Sequence, residues 1–138
     1  MKSCCSILVL ILFGLGAFAQ GSDWQKSTQW TIYSVHGRSF WQLPVDSLSL
    51  FHHRDLNSDS MKLFLAGTKV LAAGKVPVWM GGFVTSCMFA DRKRKLLISS
   101  YGGFFYDDQE KRYYQIPPDR QKQWLDYLAD AAAGVSSN

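Results

Sequence analysis

The sequence predicts an α+β fold, an antiparallel sheet of about five strands with one inserted helix and one C-terminal helix. Two short β-rich segments come first, and three longer ones follow Pro77, which predicts a two-strand unit and a three-strand meander. Two stretches with helical spacing of apolar residues separate and follow these strands. The composition, 47% hydrophobic and 14% aromatic, is sufficient for a core built without disulfides.

The first residues have the pattern of a secretory signal peptide. Lys2 gives a basic start, residues 7–15 are almost unbroken apolar, and residues 17–19 form a small-x-small cleavage site. The apolar run is short for a membrane span, and the residues after it are polar, which makes an uncleaved anchor the weaker alternative. We therefore expect a signal peptide over 1–19, a single small domain over 20–138 and no membrane span after cleavage.

The number of cysteines indicates the cellular compartment of the protein, and the net charge limits the classes of partner that it can bind. Of the three cysteines, two lie in the predicted signal peptide, so Cys87 alone remains and no internal disulfide is expected. A cysteine-poor exported domain favours a bacterial periplasm or exterior over an animal secretome. The net charge of +4 is too small to indicate a nucleic-acid partner, and we expect none.

The first predicted hairpin joins residues 29–35 to residues 39–43, both rich in β-forming side chains. Pro44 ends the second strand. The next stretch allows two interpretations, because Asp46 could cap a short helix through Phe51 or the whole segment could be a loop that crosses the sheet.

The inserted helix is predicted to begin at residues 58–60, a Ser-Asp-Ser capping signal. Leu63, Val70 and Leu71 recur at helical spacing, and Gly74 is a natural stop. Gly67 weakens the middle of this helix.

The next segment contains two Gly-Gly-Phe triplets on either side of a charged turn. A two-residue turn at Arg92 and Lys93 would place Gly82 opposite Gly103 and each phenylalanine opposite a glycine. The two facing glycines would then leave a gap without side chains, the glycine notch. A turn of another length would change this register.

The end of the chain predicts a third meander strand and a helix. Residues 108–111 form a turn that places Tyr106 opposite Tyr113, and the strand ends before the two prolines at 117–118, which open the helix. Trp124, Leu128 and Ala131 share one helix face and Gly134 closes the helix, whose alanine-rich second half we expect to fill the glycine notch.

Catalytic and metal-binding patterns are weak. Cys87 shares an apolar strand face in the predicted register, which favours a packed thiol over a nucleophile. His52 and His53 are adjacent, so their rings diverge and predict no zinc site. We expect no metal and no cofactor, and the enzyme alternative is a small extracytoplasmic hydrolase or thiol enzyme that uses Cys87 or the histidine pair.

The aromatic content exceeds what one small core hides, so some rings should reach the surface and bind a partner. Trp79, Tyr106 and Tyr113 are the candidate patch, with Gly82 and Gly103 as a candidate groove. The sequence thus predicts a non-enzymatic exported binding or accessory protein of the cell envelope or exterior, whose partner is another such protein or a carbohydrate. A structural envelope component is the remaining alternative.

Overall fold

The structure is a computed structural model that describes residues 23–35, 41–76 and 78–135. Within them a seven-stranded sheet, antiparallel throughout, has the strand order β2-β1-β4-β5-β6-β7-β3. Two α-helices and three short 3₁₀ helices complete the described fold. The strands are β1 (Gln29–Tyr33), β2 (His53–Leu56), β3 (Lys69–Val70), β4 (Gly82–Phe89), β5 (Arg92–Ser99), β6 (Phe104–Asp107) and β7 (Arg112–Gln115).

The α+β class is confirmed, but the predicted count of about five strands is wrong. The predicted second strand, 39–43, lies partly outside the described residues, and its described part, 41–43, is not a strand. β1 pairs instead with β2, which comes from the stretch left open between helix and loop. The predicted signal peptide, 1–19, lies outside the described residues.

The segment before β2 contains a 3₁₀ helix, Val45–Leu50, that follows Pro44. Leu48 is its buried residue and packs under the sheet. Of the two interpretations of this stretch, the short helix is therefore the correct one for its first part, while its second part forms an edge strand.

The inserted helix, α1 (Ser58–Leu65), begins where predicted and ends much earlier than predicted. Asn57 is its N-cap, and its side chain accepts a hydrogen bond of 2.9 Å from the backbone N–H of Ser60. Gly67 has φ +76, a left-handed conformation that stops the helix, and the chain then enters β3. The predicted continuation to Gly74 is wrong because Gly67 acts as a terminator.

The β4–β5 hairpin turns at Ala90 and Asp91, which have φ 48 and 63. Two central residues with positive φ match the twist of a two-residue hairpin, so the turn precedes the predicted one. Gly82 therefore pairs with Ser99, four positions from the predicted partner Gly103. The glycine notch does not exist. Since the shift is even, each residue keeps its predicted face.

The closing part of the meander agrees with the prediction in register but contains one more strand. Tyr106 pairs with Tyr113, as predicted. The long second strand expected through Phe104 is broken by a turn at residues 100–103 into β5 and β6. This break and the two-residue β3 account for the two additional strands.

The C-terminal helix, α2 (Gln121–Val135), buries Trp124, Leu128 and Ala131 as predicted. It includes Gly134, which was expected to end it. Its second half lies against the β1–β2 side of the sheet. None of the described helices is long and apolar enough to cross a membrane.

The two faces of the sheet are covered differently. One face, the helix face, packs against α1, α2 and the 3₁₀ helix Asp23–Lys26 around buried tryptophans. The opposite face, the aromatic face, is covered by segments whose described residues contain no α-helix and include the 3₁₀ helix Val45–Leu50 and the loop around Trp79. The sheet residues at the centre of the aromatic face are Tyr33, Val84, Leu97 and Tyr106.

Candidate functional site

Three of the predicted site residues come together on the aromatic face. Tyr106 and Tyr113 face each other across β6 and β7 with ring centroids 4.8 Å apart. Trp79 reaches the same group of rings from the loop before β4. Gly103 does not join them, since it lies in the turn before β6, close to Gln121 at the start of α2.

Five rings form a closed chain of contacts, here named the aromatic cluster. Trp41 contacts Trp79 at 4.8 Å and Tyr106 at 5.4 Å between centroids. Phe104 contacts Trp79 at 5.2 Å and Tyr113 at 6.4 Å. Phe104 is buried and the other four are half-buried, so the cluster offers aromatic edges to solvent above a covered base.

Gly82 makes room for this cluster by its bare backbone. A Cβ at this position would overlap the carbonyl oxygen of Ile98 on the neighbouring strand and come within 3.0 Å of Cζ2 of Trp79. The glycine therefore serves close strand pairing and lets the indole lie against the sheet. This packing role differs from the predicted groove, which does not form because Gly82 pairs with Ser99.

Lys95 holds residues 41–43, the covering segment, against the sheet. Its side chain is 1% exposed, and Nζ donates to the carbonyl oxygens of Trp41 at 3.3 Å and Leu43 at 2.7 Å. Nζ also forms an ion pair of 3.4 Å with Asp108. Because these bonds fix the backbone at Trp41, they orient one wall of the aromatic cluster.

Burial raises the pKa of the Tyr106 phenol, with a smaller opposing influence from Lys111. The phenol therefore stays protonated well above neutral pH and keeps its O–H as a donor. The rim of the aromatic cluster accordingly carries a neutral hydroxyl.

An exposed apolar group lies at the end of the sheet where β4 and β6 begin and β5 ends. Val78, Met80 and Tyr101 are 82%, 75% and 69% exposed, and we name them the apolar tip. Val78 and Met80 flank Trp79 in sequence. The backbone N–H of Ser100 donates to the carbonyl of Gly81 at 3.0 Å, which joins the two loops that carry the tip.

The loop that carries Tyr101 is held by its own hydrogen bonds. Ser99 Oγ donates to the Tyr101 carbonyl at 2.6 Å, and the Gln115 side-chain amide donates to Gly102 at 3.0 Å. Gly103 has φ +62, a left-handed conformation that glycine adopts without strain. The loop is thus organised before any partner arrives.

The residues of the enzyme alternative are not arranged for catalysis. Cys87 is fully buried in the core of the helix face, and burial raises the pKa of its thiol to about 12. At neutral pH this thiol carries almost no thiolate, which is the reactive form. His52 and His53 are exposed, and the described residues contain no group of three potential metal ligands.

Sequence reasoning missed Phe104 and the three residues of the apolar tip as site residues. The signal was present in the run Val78, Trp79 and Met80, which places three large apolar side chains in succession before a glycine pair. Such a run without alternation suits neither a half-buried strand nor a polar loop.

The described fold and site define an α+β protein whose seven-stranded antiparallel sheet has one helix-covered face and one face with an aromatic cluster. Comparison of the chain with protein-family models, with curated proteins and with solved structures finds no match.

Proposed function

We propose that this protein is a non-enzymatic binding or accessory protein that acts outside the cytoplasm and binds another exported or envelope protein. The binding surface is the aromatic cluster together with the apolar tip. The observation that carries the proposal is that two strongly exposed apolar residues, Val78 and Met80, flank Trp79 of the aromatic cluster, and that the loop with exposed Tyr101 is hydrogen-bonded to the same segment.

The exposure of the tip is unusual for a surface that stays in water. Six large apolar side chains among the described residues are strongly exposed, and three of them belong to the tip. Isolated apolar residues on a surface need no explanation, whereas a group beside aromatic rings is typical of an interaction site. The hydrogen bonds that hold the Tyr101 loop lower the ordering cost of binding.

The chemistry of the tip favours a protein over a carbohydrate. Val78 and Met80 offer no hydrogen bond, and methionine adapts to irregular apolar surfaces. Sugar recognition needs polar groups beside the stacking ring, but the Gln115 amide next to Tyr101 is engaged with Gly102 and Gly103.

The extracytoplasmic site of action is supported by the sequence pattern of residues 1–19 and by the single cysteine that follows it. A bacterial periplasm or cell exterior fits these features best. N-terminal sequencing of the protein purified from its host should begin at or near Gln20, and a protein that retains Met1 would contradict export with cleavage.

The binding surface is tested by affinity capture from the envelope and secreted fractions of the native host. We compare the wild-type protein with the double variant Met80→Ser/Tyr101→Ser. The wild type should retain a specific protein that the double variant does not, because two exposed anchors are removed without disturbing the core.

Leu63→Ser is the matched control, since Leu63 is 67% exposed and lies on α1, away from the tip. This variant should retain the partner. Equal capture by all three proteins would contradict the proposal, and retention of a polysaccharide alone would replace the protein partner with a carbohydrate. Precipitation of the double variant without loss of a partner would favour a structural envelope component.

A further inference from the structure

A second site lies on the other side of the molecule, in a cavity between the first 3₁₀ helix, β1 and α1. Its volume is about 350 Å³, at the lower end of the range for small-molecule sites. It is lined by Trp24, Gln25, Trp30, Lys62, Leu65 and Ala66. None of these residues belongs to the aromatic cluster or the apolar tip.

The inner part of the cavity is apolar and aromatic. Trp24 and Trp30 are each 1% exposed, and Leu65 is buried beside them. Their rings belong to the main core, so the inner wall is set by packing and does not depend on a ligand. A flat or aliphatic apolar body fits such a wall.

The polar groups at the cavity are mainly hydrogen-bond donors. Lys62 and Gln25 are exposed at its edge, and a lysine ammonium donates only. Among the described residues no carboxylate lies within ion-pair distance of the Lys62 ammonium. The indole N–H groups of Trp24 and Trp30 are buried without a hydrogen-bond partner among the residues that the structure describes.

The end of α1 would normally disfavour an anion, because helix carbonyls carry partial negative charge there. Here those carbonyls are already bound. The Arg120 guanidinium donates to the carbonyl oxygens of Leu63 at 3.0 Å and Ala66 at 2.5 Å, and Thr68 Oγ1 donates to that of Leu65 at 2.7 Å. Arg120, which also forms an ion pair of 3.8 Å with Asp119, offsets the negative end of the helix, and Lys62 is the charged residue that lines the cavity.

We infer that this cavity binds a small amphipathic carboxylate, with its apolar body beside Ala66 and the edges of Trp24 and Trp30 that line the cavity, and its carboxylate at Lys62 and Gln25. Burial of the body provides most of the affinity, and the ammonium selects the charge of the head group. The site is independent of the protein-binding surface, which lies on the aromatic face.

Three probes of equal chain length test the inference, namely octanoate, octanol and octylamine. Each is titrated into the ¹⁵N-labelled protein while the indole N–H resonances are recorded. The sequence has five tryptophans, so Trp24→Phe and Trp30→Phe assign the two resonances of the cavity. Octanoate should shift these two and leave those of Trp41 and Trp79 in place.

Two variants examine the head group and the space separately. Lys62→Met should weaken octanoate binding by about fivefold, the typical contribution of one exposed ion pair. Lys69 is an exposed lysine outside the cavity, so Lys69→Met is the control and should leave octanoate binding unchanged. Ala66→Phe should abolish octanoate binding, because Ala66 is exposed at the cavity and a larger side chain would occupy it.

Equal binding of octanoate and octylamine would overturn the inference, as would shifts confined to Trp41 and Trp79. Absence of any shift up to the solubility limit of octanoate would overturn it too. Since the partner-binding experiment uses Met80 and Tyr101, which do not line the cavity, either proposal can fail without the other.

Discussion

Both faces of the sheet carry several aromatic side chains, but these side chains are buried to different degrees. On the helix face, Trp24, Trp30 and Trp124 are each at most 1% exposed, beneath helices that exclude water. On the aromatic face, Trp41 and Trp79 are half-buried and belong to the covering segments, whose described residues include the 3₁₀ helix Val45–Leu50 and no α-helix. Aromatic side chains that are fully enclosed stabilise the fold, and those left at a rim are available to a partner.

The buried charged residues of the two faces also have different roles. On the helix-face side, Asp107 accepts hydrogen bonds from the backbone N–H groups of Gln109 and Glu110 and forms an ion pair of 3.3 Å with Arg94. These contacts fix the β6–β7 turn. On the aromatic face, Lys95 instead holds the backbone of the covering segment at Trp41 and Leu43. One charge stabilises a turn, and the other positions part of the candidate site.

The largest difference between the faces should appear when one tryptophan of each is removed. Trp124→Ala should lower the free energy of unfolding by about 3–5 kcal/mol, because a fully enclosed ring leaves a cavity. Trp41→Ala should cost about 1–2 kcal/mol, since its ring is partly solvated. Urea denaturation measures both, and equal losses would mean that the aromatic face is part of the core.

Lys95→Met tests the attachment of the covering segment. The variant leaves the carbonyls of Trp41 and Leu43 without the Lys95 donor and removes one of the two lysines that pair with Asp108, which keeps Lys111. We therefore expect a loss of about 2–3 kcal/mol in unfolding free energy. Lys93→Met is the control on the same strand and should cost less than about 1 kcal/mol. Equal stability of the two variants would remove Lys95 from this role.

Gly82→Ala tests the close packing beneath Trp79. Its Cβ would meet the backbone of Ile98, which cannot move without separating β4 from β5, so a loss of about 1–3 kcal/mol is expected. Gly74→Ala is the control, because a Cβ there has open space. Thermal unfolding of both variants decides the matter, and an unchanged melting temperature for Gly82→Ala would contradict the packing described.

The smallest expected effect concerns Asp107 and pH. Burial raises the pKa of this carboxyl above 3.8, against the hydrogen bonds and Arg94 that favour its charged form. The folded state therefore binds the proton more tightly than the unfolded state, and the contribution of Asp107 to stability falls as pH rises from about 4 through the folded pKa.

The difference in unfolding free energy between the wild type and Asp107→Asn, measured from pH 4 to 7, should show that decline. Asparagine keeps an oxygen for the backbone N–H groups and has no charge to titrate, which makes it the reference. A difference that increases with pH would show that Arg94 and the hydrogen bonds outweigh burial.

The sequence predicted correctly those features of the fold that depend on the local spacing of residues. The helix at Trp124 and Leu128, the facing pair Tyr106 and Tyr113, and the burial of Cys87 follow from spacing along one element or across one short turn. The burial of Cys87 survived a wrong register because a shift by an even number of positions preserves the face.

Long-range pairing and unusual turns could not be predicted in this way. Ala90 and Asp91 have no glycine to indicate positive φ, so the hairpin was given a turn two residues too late. The pairing of β1 with β2 spans the 3₁₀ helix Val45–Leu50, and no local signal specifies it. The aromatic cluster depends on both, because Trp41 reaches it only when the chain before β2 crosses the sheet.

Partner affinity and melting temperature, measured together in variants of the apolar tip and of α1, test the docking surface most directly. For Met80→Ser/Tyr101→Ser we expect affinity for the captured partner to fall at least about tenfold, with the melting temperature within about 3 °C of the wild type. Leu63→Ser should change neither quantity. Loss of binding only in variants that also unfold, or unchanged affinity of the double variant, would contradict a docking surface at this end of the sheet.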